Sequence, residues 1–254
     1  MVWNVPPQEH KVFERNPLVA VVVELRFHPV LKISDRIADF QDRVRATFPV
    51  FQEVLRQLVN LGPVAPIEVR NERMFNLTKG DESATLTLST SSLALESRLH
   101  EHRNIFIADA KVGIDALVET FGPIVPTRLG LRYVDIIDRE QIEKALGRPT
   151  SWDALLSERF LSIPTGLADL SDTLFACEVA SSVPSGGRQT VRYGLVEDAD
   201  KRVKYRLDVD RYIEERVEPG ALVPLLGAFA DDIYAVFAAA MGPALSEWME
   251  ERRS

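Results

Sequence analysis

Residues Arg128 to Asp138 read RLGLRYVDIID, and the fold turns on what that stretch becomes. In an extended chain the side chains alternate between two faces. Leu129, Leu131, Tyr133, Asp135 and Ile137 then share one face, and Arg128, Gly130, Arg132, Val134 and Ile136 share the other. β-branched and aromatic residues suit a pleated, half-buried surface, so the stretch is predicted to be a buried strand close to the chain midpoint. Gly130 predicts a bulge or a close backbone approach. Arg132 and Asp135 fall on opposite faces and are not natural partners. Each needs another partner if buried, because an unpaired buried charge is very costly.

Similar material lies on either side. Leu18 to Phe27, LVAVVVELRF, has too many β-branched residues for a helix and reads as a strand. Glu24 and Arg26 point the same way on it, close enough to interact. Ser34 is predicted to cap a helix that carries Asp35 in its first turn and ends before Pro49. Phe51 to Asn60 reads as a second short helix. Ile67 to Leu77, Ser83 to Thr90 and Leu93 to Arg98 read as an antiparallel meander joined by Lys79-Gly80-Asp81 and Thr90-Ser91-Ser92 turns. Asn104 to Phe121 is an amphipathic helix stopped by Gly122-Pro123.

After the midpoint strand, Glu140 to Leu146 is helical, and Ser151 is placed to cap a helix running to about Phe160. Leu161 to Leu170 reads as a loop. Thr173 to Ser181, Arg188 to Glu197 and Val203 to Ile213 are strands. In the last of these, Val203, Tyr205, Leu207, Val209 and Arg211 alternate with Lys204, Arg206, Asp208, Asp210 and Tyr212. A long apolar helix, Leu222 to Met241, follows, and Pro243 kinks it or starts another. The expected fold class is α+β: two pseudo-duplicated halves, each strand, helix, three strands, helix, with a largely antiparallel sheet and helices packed on one face. The expected boundaries are an arm at 1–16, a first half at 17–123 and a second at 124–254, the two halves forming one compact unit.

The 254 residues are 46% hydrophobic, ample for a sizeable core. Net charge is −8, which argues against non-specific nucleic-acid binding through basic phosphate contacts. Cys177 is the sole cysteine, so no internal disulfide forms. The first residues lack the apolar core of a signal peptide, and no uninterrupted apolar run is long enough to span a membrane. A cytoplasmic protein is the simplest expectation.

Three places carry a resemblance. Asn16-Pro17-Leu18 leads into a strand ending Glu24-Leu25-Arg26-Phe27. Arg128 to Tyr133 supplies an Arg-x-Gly-Leu-Arg-Tyr strand. Leu207 to Tyr212 supplies Leu-Asp-x-Asp-x-Tyr before the terminal helix. Together they resemble a sporadically distributed bacterial family of uncharacterised proteins of about this length. The likeness spans nearly the whole chain, with the middle motif its most specific part. The sequence departs where the family usually has Asn after the Tyr-Val pair and this chain has Asp135. The resemblance implies the domain boundaries and brings no activity with it.

The candidate chemistry is a set of charges on apolar strands. Glu24, Arg26, Arg128, Arg132 and Asp135 form either structural ion pairs or a polar site in which arginines grip an anion. Asp208 and Asp210, with Tyr212 beside them, offer two carboxylates for acid–base work or a divalent ion, or else the solvated side of a sheet. His100 and His102 have a spacing that puts both imidazoles on one face of a strand, a weak metal candidate without a third ligand. No GxSxG, HExxH, CxxC or GxGxxG pattern is present. The expectation is a non-enzymatic binding or interaction protein with no cofactor, recognising a partner protein, a second copy or a small anionic ligand. The alternative is a metal-dependent hydrolase or nuclease using the sheet's acidic residues.

Overall fold

A computed structural model of the chain describes residues 5–60, 68–98, 102–161 and 173–251. The strands are β1 (Leu18–Phe27), β2 (Val50–Asn60), β3 (Glu68–Thr78), β4 (Ala84–Leu88), β5 (Ser92–Ser97), β6 (Pro126–Ile137), β7 (Phe175–Ser182), β8 (Arg188–Glu197) and β9 (Val203–Ile213). The helices are α1 (Ile37–Val44), α2 (Arg103–Phe121), α3 (Arg139–Leu146), α4 (Trp152–Leu155), α5 (Glu158–Leu161), α6 (Leu222–Ala240) and α7 (Pro243–Met249). The fold is α+β, with one sheet in the order β2-β3-β4-β5-β1-β6-β9-β8-β7. The pairs β2–β3, β3–β4, β4–β5, β7–β8 and β8–β9 are all antiparallel. The midpoint stretch is a strand, β6, as its alternation predicts.

The chain forms two compact units. One comprises Val22–Gly130 and Glu214–Leu226. Its sheet face is built from Phe75, Leu77, Leu86, Leu88, Leu93 and Leu95, all buried. The α2 helix packs on that face through Gly113, where a Cβ would come within 2.8 Å of Leu86. Phe40 of α1 stacks on Phe121 of α2 at 6.2 Å. The opposite face is polar: Thr78 meets Thr85 at 3.1 Å, and the Thr87 hydroxyl donates to Asn76 at 3.0 Å. One face therefore carries the helices and the other carries hydroxyls and amides, as the period of two requires.

The other unit comprises Met1–Val21, Leu131–Ile213 and Gly227–Ser254. Tyr205, Leu207 and Val209 of β9 are buried. The Tyr205 hydroxyl donates to the Phe160 carbonyl at 2.7 Å, and Phe160 meets the Tyr193 ring edge-on at 5.2 Å. The N-terminal arm is tied down by the bridge between Phe13 and Glu251 and by the Glu14 N–H donating to the Glu250 carbonyl at 2.9 Å. In the part of α6 that belongs to this unit, Phe229, Ala230, Ile233, Val236, Phe237 and Ala240 are buried at helical spacing. Among the described residues α6 is the one helix long and apolar enough to cross a membrane, by length and composition alone.

Three readings are corrected. Phe51 to Asn60 is strand β2 rather than a helix, so the first half has five strands where four were expected. Its apolar residues, Phe51, Val54, Leu55, Leu58 and Val59, follow the helical period, and an eleven-pair hairpin with β3 overrides it. Ser34 does not cap α1, which starts at Ile37 with Arg36 in the capping position; Ser34 instead closes a 3-10 turn at Leu31–Ile33. The helix expected from Ser151 to Phe160 is split into α4 and α5. Leu156 is extended between them and bridges to Met241, and the Ser157 N–H donates to the Ala240 carbonyl. The loop expected from Leu161 to Leu170 falls largely outside the described residues.

Candidate functional site

On β9 the even-numbered residues lie on the face away from Tyr205 and Leu207. Asp208 is in that row, yet its side chain is 0% exposed. A buried carboxylate needs donors, and two guanidiniums supply them. Arg132 of β6 donates from Nε to Oδ1 and from Nη2 to Oδ2, both at 2.7 Å. This is the two-pronged geometry in which arginine binds carboxylates most strongly. Arg206, two residues before Asp208, adds a bond from Nη2 to Oδ2 at 3.1 Å. Both arginine side chains stay partly open, 45% and 40% exposed.

The row continues across the strands. Arg192 of β8 is directly opposite Asp208, and Glu178 of β7 is directly opposite Arg192. Arg192 donates to Glu178 at 2.6 Å. Glu178, Arg192, Asp208 and Arg132 therefore alternate in sign across the sheet, the favourable arrangement for cross-strand neighbours. The hydrogen bond with Asp208 is the main cause holding the Arg132 guanidinium above its ordinary pKa, and the charges of Asp208 and Asp210 add to it. Asp210 and Tyr212 are half-buried in the same even-numbered row, and each has a partner.

Asp135 is the unusual member. It is 5% exposed, and burial, followed by the charge of Asp208, pushes its carboxyl up to about 8. At neutral pH it is mainly protonated, so it adds little negative charge beside Asp208.

In the other unit Glu24 is shared in a similar way. Its Oε2 accepts from Arg128 Nη1 and from Arg26 Nε, each at 2.9 Å. Arg128 is 13% exposed and Arg26 56%. At Gly130 of β6 a Cβ would lie 2.5 Å from the Arg128 guanidinium, the flexible end of a side chain that could shift to make room. The close backbone approach expected at Gly130 is not what is found: the atoms nearest a Cβ there belong to the Arg128 side chain.

The structure thus brings Arg132 to Asp208, and Arg26 and Arg128 to Glu24. His100 lies outside the described residues. His102 is the N-cap of α2, its Nδ1 accepting from the Asn104 N–H at 3.2 Å. Among the described residues no group of three or more His, Cys, Asp or Glu side chains is placed to hold a metal ion.

Sequence reasoning missed Arg211. It is 1% exposed and donates to Asp232 at 2.9 Å, to the carbonyls of Arg188, Tyr212 and Gly186, and to the Ser185 hydroxyl at 3.0 Å. Its guanidinium also sits over the Phe229 ring, 4.6 Å from the centroid. The available signal was parity: Arg211 stands in the apolar row of β9 with Tyr205, Leu207 and Val209. A second network, on Lys204, binds Asp138 at 3.1 Å and Asp198 at 3.0 Å. The Arg202 backbone N–H, followed by Lys204, pulls the Asp198 carboxyl down to about 2.

No protein-family model matches the chain, and a search of curated proteins gave no match.

Proposed function

We propose that this chain is a binding protein without a catalytic step, and that Arg132 and Arg206 on the sheet receive an anionic group. That group is a carboxylate or a phosphate, borne by a small ligand or by the acidic side chains of a partner. One observation carries the reading: a wholly buried Asp208 orients two guanidiniums whose remaining surface is open. Orienting arginines in advance lowers the ordering cost of gripping an anion. The hydrolase alternative is less well supported, since Asp208 and Glu24 are each already engaged by two arginines. The bacterial, cytoplasmic setting belongs to the proposal and rests on the resemblance of the three strand motifs.

The test is calorimetric titration with inorganic phosphate, citrate and a glutamate-rich hexapeptide against the wild-type chain and Arg206→Gln. Arg206→Gln leaves Asp208 its two bonds from Arg132, so the fold survives. Wild type is expected to bind at least one probe, and Arg206→Gln to bind it about tenfold more weakly, the worth of one charge-assisted hydrogen bond. If no probe binds wild type, or the variant binds equally well, the reading is wrong.

A further inference from the structure

We propose that a cavity beside the N-terminal arm binds a small monocarboxylate with an apolar body. This is a second site, since neither Arg132 nor Arg206 lines the cavity. Its volume is about 250 Å³. Its walls come from Arg15 to Val19, from the end of β6, from the first turn of α3 and from Trp248 of α7. All of these are described residues of one compact unit. Arm and strand are joined where the Ile136 N–H donates to the Pro17 carbonyl at 2.9 Å.

The volume sets the size of the occupant. Pockets for drug-sized ligands run to about 300–1,000 Å³, so this one suits a molecule of roughly ten non-hydrogen atoms. The wall sets its body. Most of the lining is apolar, with Pro17, Leu18, Val19, Ile136, Ile142 and Trp248 among it. Val19 is 43% exposed, and a ring or branched chain laid against it removes apolar surface from water on both sides.

The polar groups of the wall belong to Arg15, Asn16, Asp138 and Gln141, and the bonds they already make select the head group. Arg15 is steadied by α7 and its C-cap: Nη1 donates to the Trp248 carbonyl at 3.0 Å, and Nη2 meets Glu250 at 3.1 Å. Those contacts use two of the five guanidinium N–H groups, and the side chain stays 44% exposed. Asn16 uses its oxygen to accept the Leu18 N–H at 3.1 Å, so the end left to act is its NH₂, a donor. Asp138 is already matched. It accepts from the Gln141 backbone N–H at 3.1 Å and pairs with Lys204 at 3.1 Å. An ammonium ligand would compete with Lys204, and a doubly charged anion would be repelled by Asp138 twice as strongly as a single one. A single carboxylate is the head group that remains, accepting from Arg15 and Asn16. Because Arg15 is ordered in advance, gripping it costs less.

Phenylacetate is a molecule of this size and kind. Calorimetric titration of the full chain with sodium phenylacetate, and with the neutral isostere phenylacetamide, tests the proposal. Wild type is expected to bind phenylacetate with a Kd on the order of 0.1–1 mM. Phenylacetamide should bind at least about tenfold more weakly, the worth of a charge-assisted hydrogen bond. Arg15→Gln keeps the Arg15 backbone bond to the Met249 carbonyl and should weaken phenylacetate about tenfold or more. Val19→Glu sets a second carboxylate at an open wall position, away from the core, and should abolish binding with little change in melting temperature. A wild type that does not bind phenylacetate overturns the proposal, as does equal binding of phenylacetamide or an unchanged Kd in either variant. Loss of phenylacetate binding in Arg206→Gln would put the ligand on the sheet face and overturns it too. The phosphate, citrate and hexapeptide titrations are read separately, so each of the two sites can fail alone.

Discussion

Replacing Asp135 by Asn removes a buried carboxyl while keeping its shape. The folded chain holds this carboxyl at about 8, against about 4 in an unfolded chain. The folded state therefore keeps a proton over a range of pH where the unfolded state has lost it, so stability falls as pH rises through that range. The penalty is absent below about pH 4, grows by up to about 1.4 kcal/mol per pH unit, and levels off above about pH 8. At pH 7 it amounts to roughly 4 kcal/mol. Asn carries no such slope. The assay is urea unfolding of wild type and Asp135→Asn at a series of pH values from 5 to 8.5, read as the difference in free energy between them. Subtraction cancels the titrations the two proteins share. The difference should move in favour of the variant with rising pH, by roughly 3 to 4 kcal/mol across the series. A difference that stays flat with pH would show that Asp135 is not held protonated and would refute the reasoning.

Other substitutions probe the same structure. Arg211→Met, read by urea unfolding, should cost about 3–5 kcal/mol, because it strands Asp232 and several carbonyls that now share one buried guanidinium. Gly194→Ala should lower the melting temperature sharply. Its φ of +155° suits glycine, and a Cβ there would overlap the Phe175 carbonyl of the neighbouring strand. Gly227→Ala, inside α6 where a Cβ meets nothing within 4 Å, should raise stability by about 0.5–1 kcal/mol. His102→Ala should cost about 1 kcal/mol through the lost α2 cap, and His102→Asn should restore most of it.

Period-two alternation made most of the sheet legible. β1, β6 and β9 have β-branched and aromatic rows that no helix would favour, and the meander β3 to β5 is marked by its turn residues. β2 was not legible, because its five apolar residues follow the helical period, and only the partner strand β3 makes the stretch extended. α4 and α5 were hidden for a related reason. The break at Leu156 is made by a bridge to Met241, far along the chain. At the site, Glu24 with Arg26 could be read from parity within one strand, and so could the shared row of Arg206, Asp208 and Asp210. The pairing of Arg132 with Asp208 joins residues on separate strands, which spacing alone cannot assign. The duplication expected from the order of elements loses its simple form once the first half is seen to hold a fifth strand.

The grip of Arg211 bears on how the chain can be edited. An engineer seeking a splice point for an epitope or a fluorescent reporter would choose the glycine pair after Ser185, a short polar tip of the kind that usually accepts insertions. Here the tip is roped to the protein interior. Its Ser185 hydroxyl and Gly186 carbonyl both receive hydrogen bonds from Arg211, and Ser185 also reaches Asp232 of α6. Added residues would pull those acceptors off a cation buried away from solvent, so a graft at this corner would loosen α6 as well as a hairpin.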